Sequence, residues 1–107
     1  MAQEKKETET KEKKFGKDDN VVYIGSKPFM NYVRAVEVQF GKDGCNEVII
    51  KARGKFISRA VDVEQVVKHG PIGKTVSTKK LETNSEAFEN KEGRKVNVST
   101  VEITLIK

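Results

Sequence analysis

Residues 20–33, Asn20-Val21-Val22-Tyr23-Ile24-Gly25-Ser26-Lys27-Pro28-Phe29-Met30-Asn31-Tyr32-Val33, decide how the chain folds. Val21 to Ile24 is a short apolar run rich in β-branched residues and reads as a buried strand ending at Gly25. Ser26-Lys27-Pro28 then opens a helix, with Pro28 suited to the first helical position because its missing N–H is not needed there. Phe29, Tyr32, Val33, Val36 and Phe40 recur at helical spacing until Gly41 and Gly44 end the pattern. A strand therefore feeds a helix of roughly three turns.

The same alternation repeats downstream. Val48-Ile49-Ile50 is a second buried strand, closed by Lys51-Ala52-Arg53-Gly54, and Ile57, Ala60, Val61, Val63, Val66 and Val67 mark a second helix. Those apolar positions cover more than one narrow stripe, which suits a helix burying one face in its own core and another in a dimer interface. Gly70-Pro71-Ile72-Gly73 breaks that helix. Thr75 to Phe88 and Val96 to Ile106 then read as two strands around a polar turn at Asn90 to Gly93. In the last strand the apolar positions change phase, from Val96 and Val98 to Val101, Ile103 and Leu105, which predicts a bulge or strong twist near Ser99-Thr100. The outer half of the hairpin, with Glu89, Lys91, Glu92, Arg94 and Lys95, is too polar to pack on a core and is expected to project as an arm. The predicted class is α/β: a two-layer sandwich of order β-α-β-α-β-β, with one mixed four-stranded sheet, two helices on one face and a protruding β3-β4 hairpin.

With 107 residues the chain has room for one domain around one core. Residues 1–19 hold six basic and six acidic residues and one large apolar group, Phe15, so they cannot offset the entropy of ordering and are expected to be a disordered charged tail. The domain is assigned to residues 20–107, where fifteen basic residues face ten acidic ones. The positive excess thus sits wholly on the folded part, favouring phosphate polymers or anionic surfaces as partners. One cysteine, Cys45, excludes an internal disulfide, and no stretch approaches the length of a membrane span. The expected location is cytoplasmic, with no membrane partner.

Catalysis needs convergent reactive groups, and the chain has one His and one Cys, His69 and Cys45, in unrelated segments. Cys45 reads as a small loop or core residue and His69 as a partner of helix C-terminal carbonyls. No metal-ligand spacing, GxGxxG or P-loop occurs. No catalytic residue, metal, cofactor or small-molecule substrate is expected, and the chain is not read as an enzyme.

The chemistry present is basic. Two strand-to-helix junctions, Gly25-Ser26-Lys27-Pro28 and Lys51-Ala52-Arg53-Gly54-Lys55, meet at one edge if the two strands pair in parallel. Free backbone N–H groups and positive helix ends would then join Lys27, Lys51, Arg53 and Lys55 in holding phosphate oxygens, with Ser26 and Asn31 adding neutral hydrogen bonds. From charge alone, a merely solvated basic edge has equal weight.

At these residues the chain resembles the Alba family of archaeal chromatin proteins. The resemblance rests on Asn20 to Val33, on Val48 to Asp62 (VIIKARGKFISRAVD), and on Gly93-Arg94 followed by Val98 to Ile103. It implies a homodimeric, DNA-condensing architectural protein, chromosome-associated, that binds double-stranded DNA and RNA with little sequence preference. Carried onto this chain, it implies phosphate contacts at Lys27, Asn31, Lys51, Arg53 and Lys55, Arg94 and Lys95 on an arm in the minor groove, and Asn20 beside the first group. The chain departs from the pattern in four places. Ser26 stands where many members have a lysine, Asn97 where many have an arm arginine, and Gly70-Pro71-Ile72 where many present a protruding Phe, with Ile72 as its substitute; the charged tail is extra. These changes imply a weaker, less cooperative grip. Two alternatives are a dedicated RNA-binding ribonucleoprotein subunit and a protein-interaction adaptor with a solubilising basic edge.

Overall fold

The computed structural model describes residues 20–107, and the expected disordered tail at 1–19 lies outside the described residues. The elements are β1 (Val21–Tyr23), α1 (Phe29–Phe40), β2 (Glu47–Arg53), α2 (Ile57–Lys68), β3 (Ser77–Glu89) and β4 (Lys95–Ile106), with single 3₁₀ turns at Gly54–Phe56 and Gly73–Thr75. The sheet order is β1-β2-β4-β3. β1 and β2 are parallel, as a helical crossover through α1 permits, and the other two pairings are antiparallel. The β-α-β-α-β-β order and the mixed sheet agree with the sequence reading.

One face of the sheet carries the core. Val48, Ile50 and Ala52 of β2 lie directly opposite Leu105, Ile103 and Val101 of β4, and all six are buried. Onto this face α1 brings Tyr32, Val33, Val36 and Phe40, and α2 brings Ala60, Val63 and Val67. Val36, Val48, Ile50, Ile103 and Leu105 have no exposed surface. Each such aliphatic side chain contributes about 1.5–3 kcal/mol by leaving water, so this layer is the main source of stability. Cys45 is a buried loop residue at its margin, and His69 Nδ1 lies 2.8 Å from the Gln65 carbonyl, both as expected.

Three expectations are corrected. The phase change in β4 is not a bulge: β4 pairs without interruption from Lys95 to Ile106, and the register shift lies in β3, between Thr78 and Lys80. Val101, Ile103 and Leu105 face the helices, whereas Val96 and Val98 face the other side, on the arm, where no helix among the described residues covers the sheet. Second, β2 runs to Arg53, so Lys51 and Arg53 are strand residues rather than loop residues. With Ala52 pointing in, both basic side chains necessarily point out onto the face opposite the helices. Third, β1 is not buried on both sides, since Tyr23 is 68% exposed on that open face.

The hairpin becomes an arm because β2 ends. Arg53 pairs with Thr100, and from Ser85↔Ser99 to Glu89↔Lys95 the two strands continue alone for five residue pairs, roughly 17 Å at strand rise. The arm root is pinned by a buried carboxylate. Glu64 of α2 is 5% exposed, accepts the Thr78 hydroxyl hydrogen bond beside the register shift, and has Lys68 Nζ at 3.9 Å. Lys68 Nζ also donates to Thr78 Oγ1 at 3.0 Å.

Candidate nucleic-acid interface

The parallel register Val21↔Ile49, Val22↔Ile50, Tyr23↔Lys51 puts the C-terminal ends of β1 and β2 side by side. The ladder closes with the Ile24 N–H donating to the Lys51 carbonyl at 2.9 Å. Both strand-to-helix junctions therefore meet at one edge. Neither helix has a side-chain cap or an acidic residue in its first turn, so no first-turn side chain offsets the positive helix ends at this edge. Pro28 sits at the N-cap with extended ψ, one position earlier than expected, and α1 begins at Phe29.

Lys27 is exposed on a loop held from below. The Tyr32 hydroxyl accepts the Lys27 N–H at 2.9 Å, and Arg59 Nη2 donates to the Lys27 carbonyl at 3.0 Å. Asn31 is exposed in the first turn of α1. Gly54 has φ +59°, a left-handed conformation that disfavours residues with a Cβ. It turns the chain out of β2 so that Lys55 falls at the edge beside Ser26, Ser58 and Arg59, around a shallow recess. Among the described residues, neither Lys27 nor Lys55 is paired with a carboxylate.

Lys51 and Arg53 differ. They lie on the open face, and each has an acidic neighbour: Lys51 Nζ is 3.4 Å from Glu102, and Arg53 is 3.1 Å from Glu86. All four side chains are at least a third exposed, so water screens both pairs and each holds its lysine or arginine only weakly. Arg53, the last residue of β2, reaches the edge; Lys51 sits one pleat behind it.

The remaining predicted residues lie elsewhere. Arg94 and Lys95 are exposed at the arm tip, where Asn90 Oδ1 accepts the N–H groups of Glu92 and Arg94 and Gly93 adopts φ +81°. The structure does not bring Asn20 to the junctions. It precedes β1 at the opposite end, where Nδ2 donates to the Glu47 carbonyl at 2.8 Å and its own carbonyl accepts the Ile49 N–H. Its position identifies it as a clamp between β1 and β2. Ile72 does not protrude either; it packs half-buried against the core.

Arg59 is the residue that the sequence reading missed. Its guanidinium carbon lies 5.9 Å from the centroids of both Phe29 and Tyr32, and its Nε is buried without a partner among the described residues. It thus ties α2 to the loop bearing Lys27. The signal was available, since Arg59 follows Lys55 by four residues at the start of a helix. Among the described residues there is no cluster of three or more His, Cys, Asp and Glu that could hold a metal, and no helix is long and apolar enough to cross a membrane.

A family profile described as Alba matches residues 20–85. A protein of Methanococcus maripaludis named "DNA/RNA-binding protein Alba" is 47% identical over 89 residues, covering 83% of this chain and 99% of its own length. A protein of Methanoculleus marisnigri with the same name is 47% identical over 87 residues, covering 81% of this chain and 92% of its own length. Among solved structures, Alba from Thermoplasma volcanium superimposes with a TM-score of 0.75 at 42% identity, over 82% of this chain and all of that one. By profile, by identity across nearly the full length of its relatives and by fold, the chain belongs to the Alba family.

Proposed function

We propose that the chain is an architectural, chromosome-associated protein that binds double-stranded DNA and RNA along their backbone phosphates, as a homodimer and with little sequence preference. The observation that carries this reading is the parallel pairing of β1 and β2, which gathers Lys27, Lys55, Arg59 and two uncapped helix starts at one edge. Arg53 extends that edge onto the open face, and Arg94 and Lys95 stand at the tip of an arm long enough to follow a groove. Phosphate contacts of this kind position a protein without reading bases. Two relatives bearing the name "DNA/RNA-binding protein Alba" support both polymers as partners. Support for the homodimer is a set of apolar side chains that the core leaves uncovered, Val66 on α2 at 39% and Leu81 at 52% exposure. Leu81 pairs with Ile103 and so lies on the helix side of the sheet.

The test is a fluorescence-anisotropy titration of duplex DNA and structured RNA across a salt series, with wild type and Lys51→Ala/Arg53→Ala. Wild type should bind with steep salt dependence. The double variant should weaken binding to all sequences alike and flatten the slope of log affinity against log salt by about 1.8, since each duplex phosphate that is no longer neutralised removes ~0.9. Unchanged affinity and slope would remove Lys51 and Arg53 from the interface.

A further inference from the structure

The open face of the sheet holds an aromatic recess around Lys51 and Arg53, and its ring, Tyr23, is not used by duplex binding at the edge. Tyr23, Lys51, Arg53, Phe56, Glu86 and Glu102 line a recess of about 430 Å³. Among the described residues Tyr23 is the most exposed large apolar side chain, and Lys51 Nζ lies 5.9 Å from its ring centroid. The recess therefore offers an aromatic face and two side-chain cations on a single rim.

We propose that this recess receives one unpaired nucleotide of a single strand, its base stacked on Tyr23 and its phosphate held by Lys51 or Arg53. The inference rests on the nucleic-acid reading above and adds a second, single-strand-specific site to it. The volume is of the size that encloses a small organic ligand. Aromatic rings next to basic groups are how proteins hold single strands irrespective of sequence, because every base has a π-face. A base inside a duplex has both faces covered by its neighbours and cannot reach Tyr23, so the site selects unpaired nucleotides. The carboxylates of Glu102 and Glu86 do not block it. Their ion pairs are solvent-exposed, and such pairs contribute little, so an incoming phosphate displaces them at small cost.

The experiment uses the full chain with labelled single-stranded RNA, single-stranded DNA and duplex DNA of equal length. The protein has two tyrosines and no tryptophan, and Tyr32 is buried, so quenching of tyrosine emission reports Tyr23. Single strands should quench wild type. Tyr23→Ala should weaken single-strand binding about tenfold, the scale of one base–aromatic stack, while duplex binding stays unchanged and Tyr23→Phe restores the single-strand affinity. The RNA and DNA arms identify the polymer by which of them weakens more. Single-strand affinity unaffected by Tyr23→Ala overturns the proposal, and so does an equal weakening on duplex and single strand. If wild type binds neither form, the nucleic-acid reading itself falls; if wild type binds both and Tyr23→Ala alters neither, only the stacking site falls.

Discussion

Arg53 and Glu86 stand 3.1 Å apart on the open face of the sheet, joining the last residue of β2 to a strand of the arm that extends beyond it. A carboxylate thus occupies the guanidinium that the phosphate backbone is proposed to take. Glu86→Gln should leave the fold intact and strengthen duplex binding a few-fold. The salt slope should change by well under the ~0.9 of one full phosphate, because Arg53 already neutralises its phosphate in the wild type. Anisotropy titrations at several salt concentrations check this, and an affinity equal to wild type would mean that the pair does not restrain Arg53.

Arg59 acts through geometry as well as charge, because a planar guanidinium can lie against Phe29 and Tyr32 while donating to the Lys27 carbonyl. Arg59→Lys keeps the charge and removes the clamp. The expected result is a decrease of about 1 kcal/mol in stability, the scale of one net hydrogen bond, with weaker binding on all sequences. Thermal unfolding and anisotropy measure the two effects, and a lysine variant equal to wild type in both would show that charge alone matters at this position.

The arm root depends on Thr78. Replacing it by the isosteric Val leaves Glu64 buried without that hydrogen-bond donor, at a cost of about 1–3 kcal/mol. For a domain of this size, each kcal/mol corresponds to a fall of about 4–8 °C in Tm. Circular dichroism melts test this. A Thr78→Val protein melting with wild type would show that Lys68 and the Gln65 amide suffice for the carboxylate.

The uncovered apolar side chains give a test of assembly. Val66→Lys/Leu81→Lys alters two positions already open to solvent, so a monomer should tolerate it whereas a dimer built on this face should dissociate. Sedimentation velocity should show a dimer for wild type and a monomer for the variant, with DNA affinity falling because each particle then carries half the phosphate-binding groups. A variant that remains dimeric would place the interface elsewhere.

Much of this is legible along the chain because the signals are local. The periods of Phe29 to Phe40 and Ile57 to Val67, the breaks at Gly41 and Gly70, and the alternation of Val101, Ile103 and Leu105 record which face of each element is buried, and burial drives the pattern. What failed to read correctly depends on neighbours distant in sequence. Val96 and Val98 suggest a bulge only if they must face the helices; on an arm beyond the end of β2, nothing requires that. Tyr23 reads as a core residue within Val21 to Ile24, and only its place on the uncovered face of β1 makes it available to a ligand.

By itself the sequence determined the order of elements, the composition of the core and the two basic junctions, since propensity, periodicity and turn chemistry act over a few residues. Only the tertiary structure decided which charges are paired and which are not. Lys27 and Lys55 project from the edge, while Lys51 and Arg53 face Glu102 and Glu86 from strands β4 and β3, far away along the chain. It also placed Asn20 at the far end of β1 and set Arg59 beneath the loop of Lys27. Coulombic and hydrogen-bond energies depend on distances of a few ångströms, and the pairing of strands distant along the chain sets those distances.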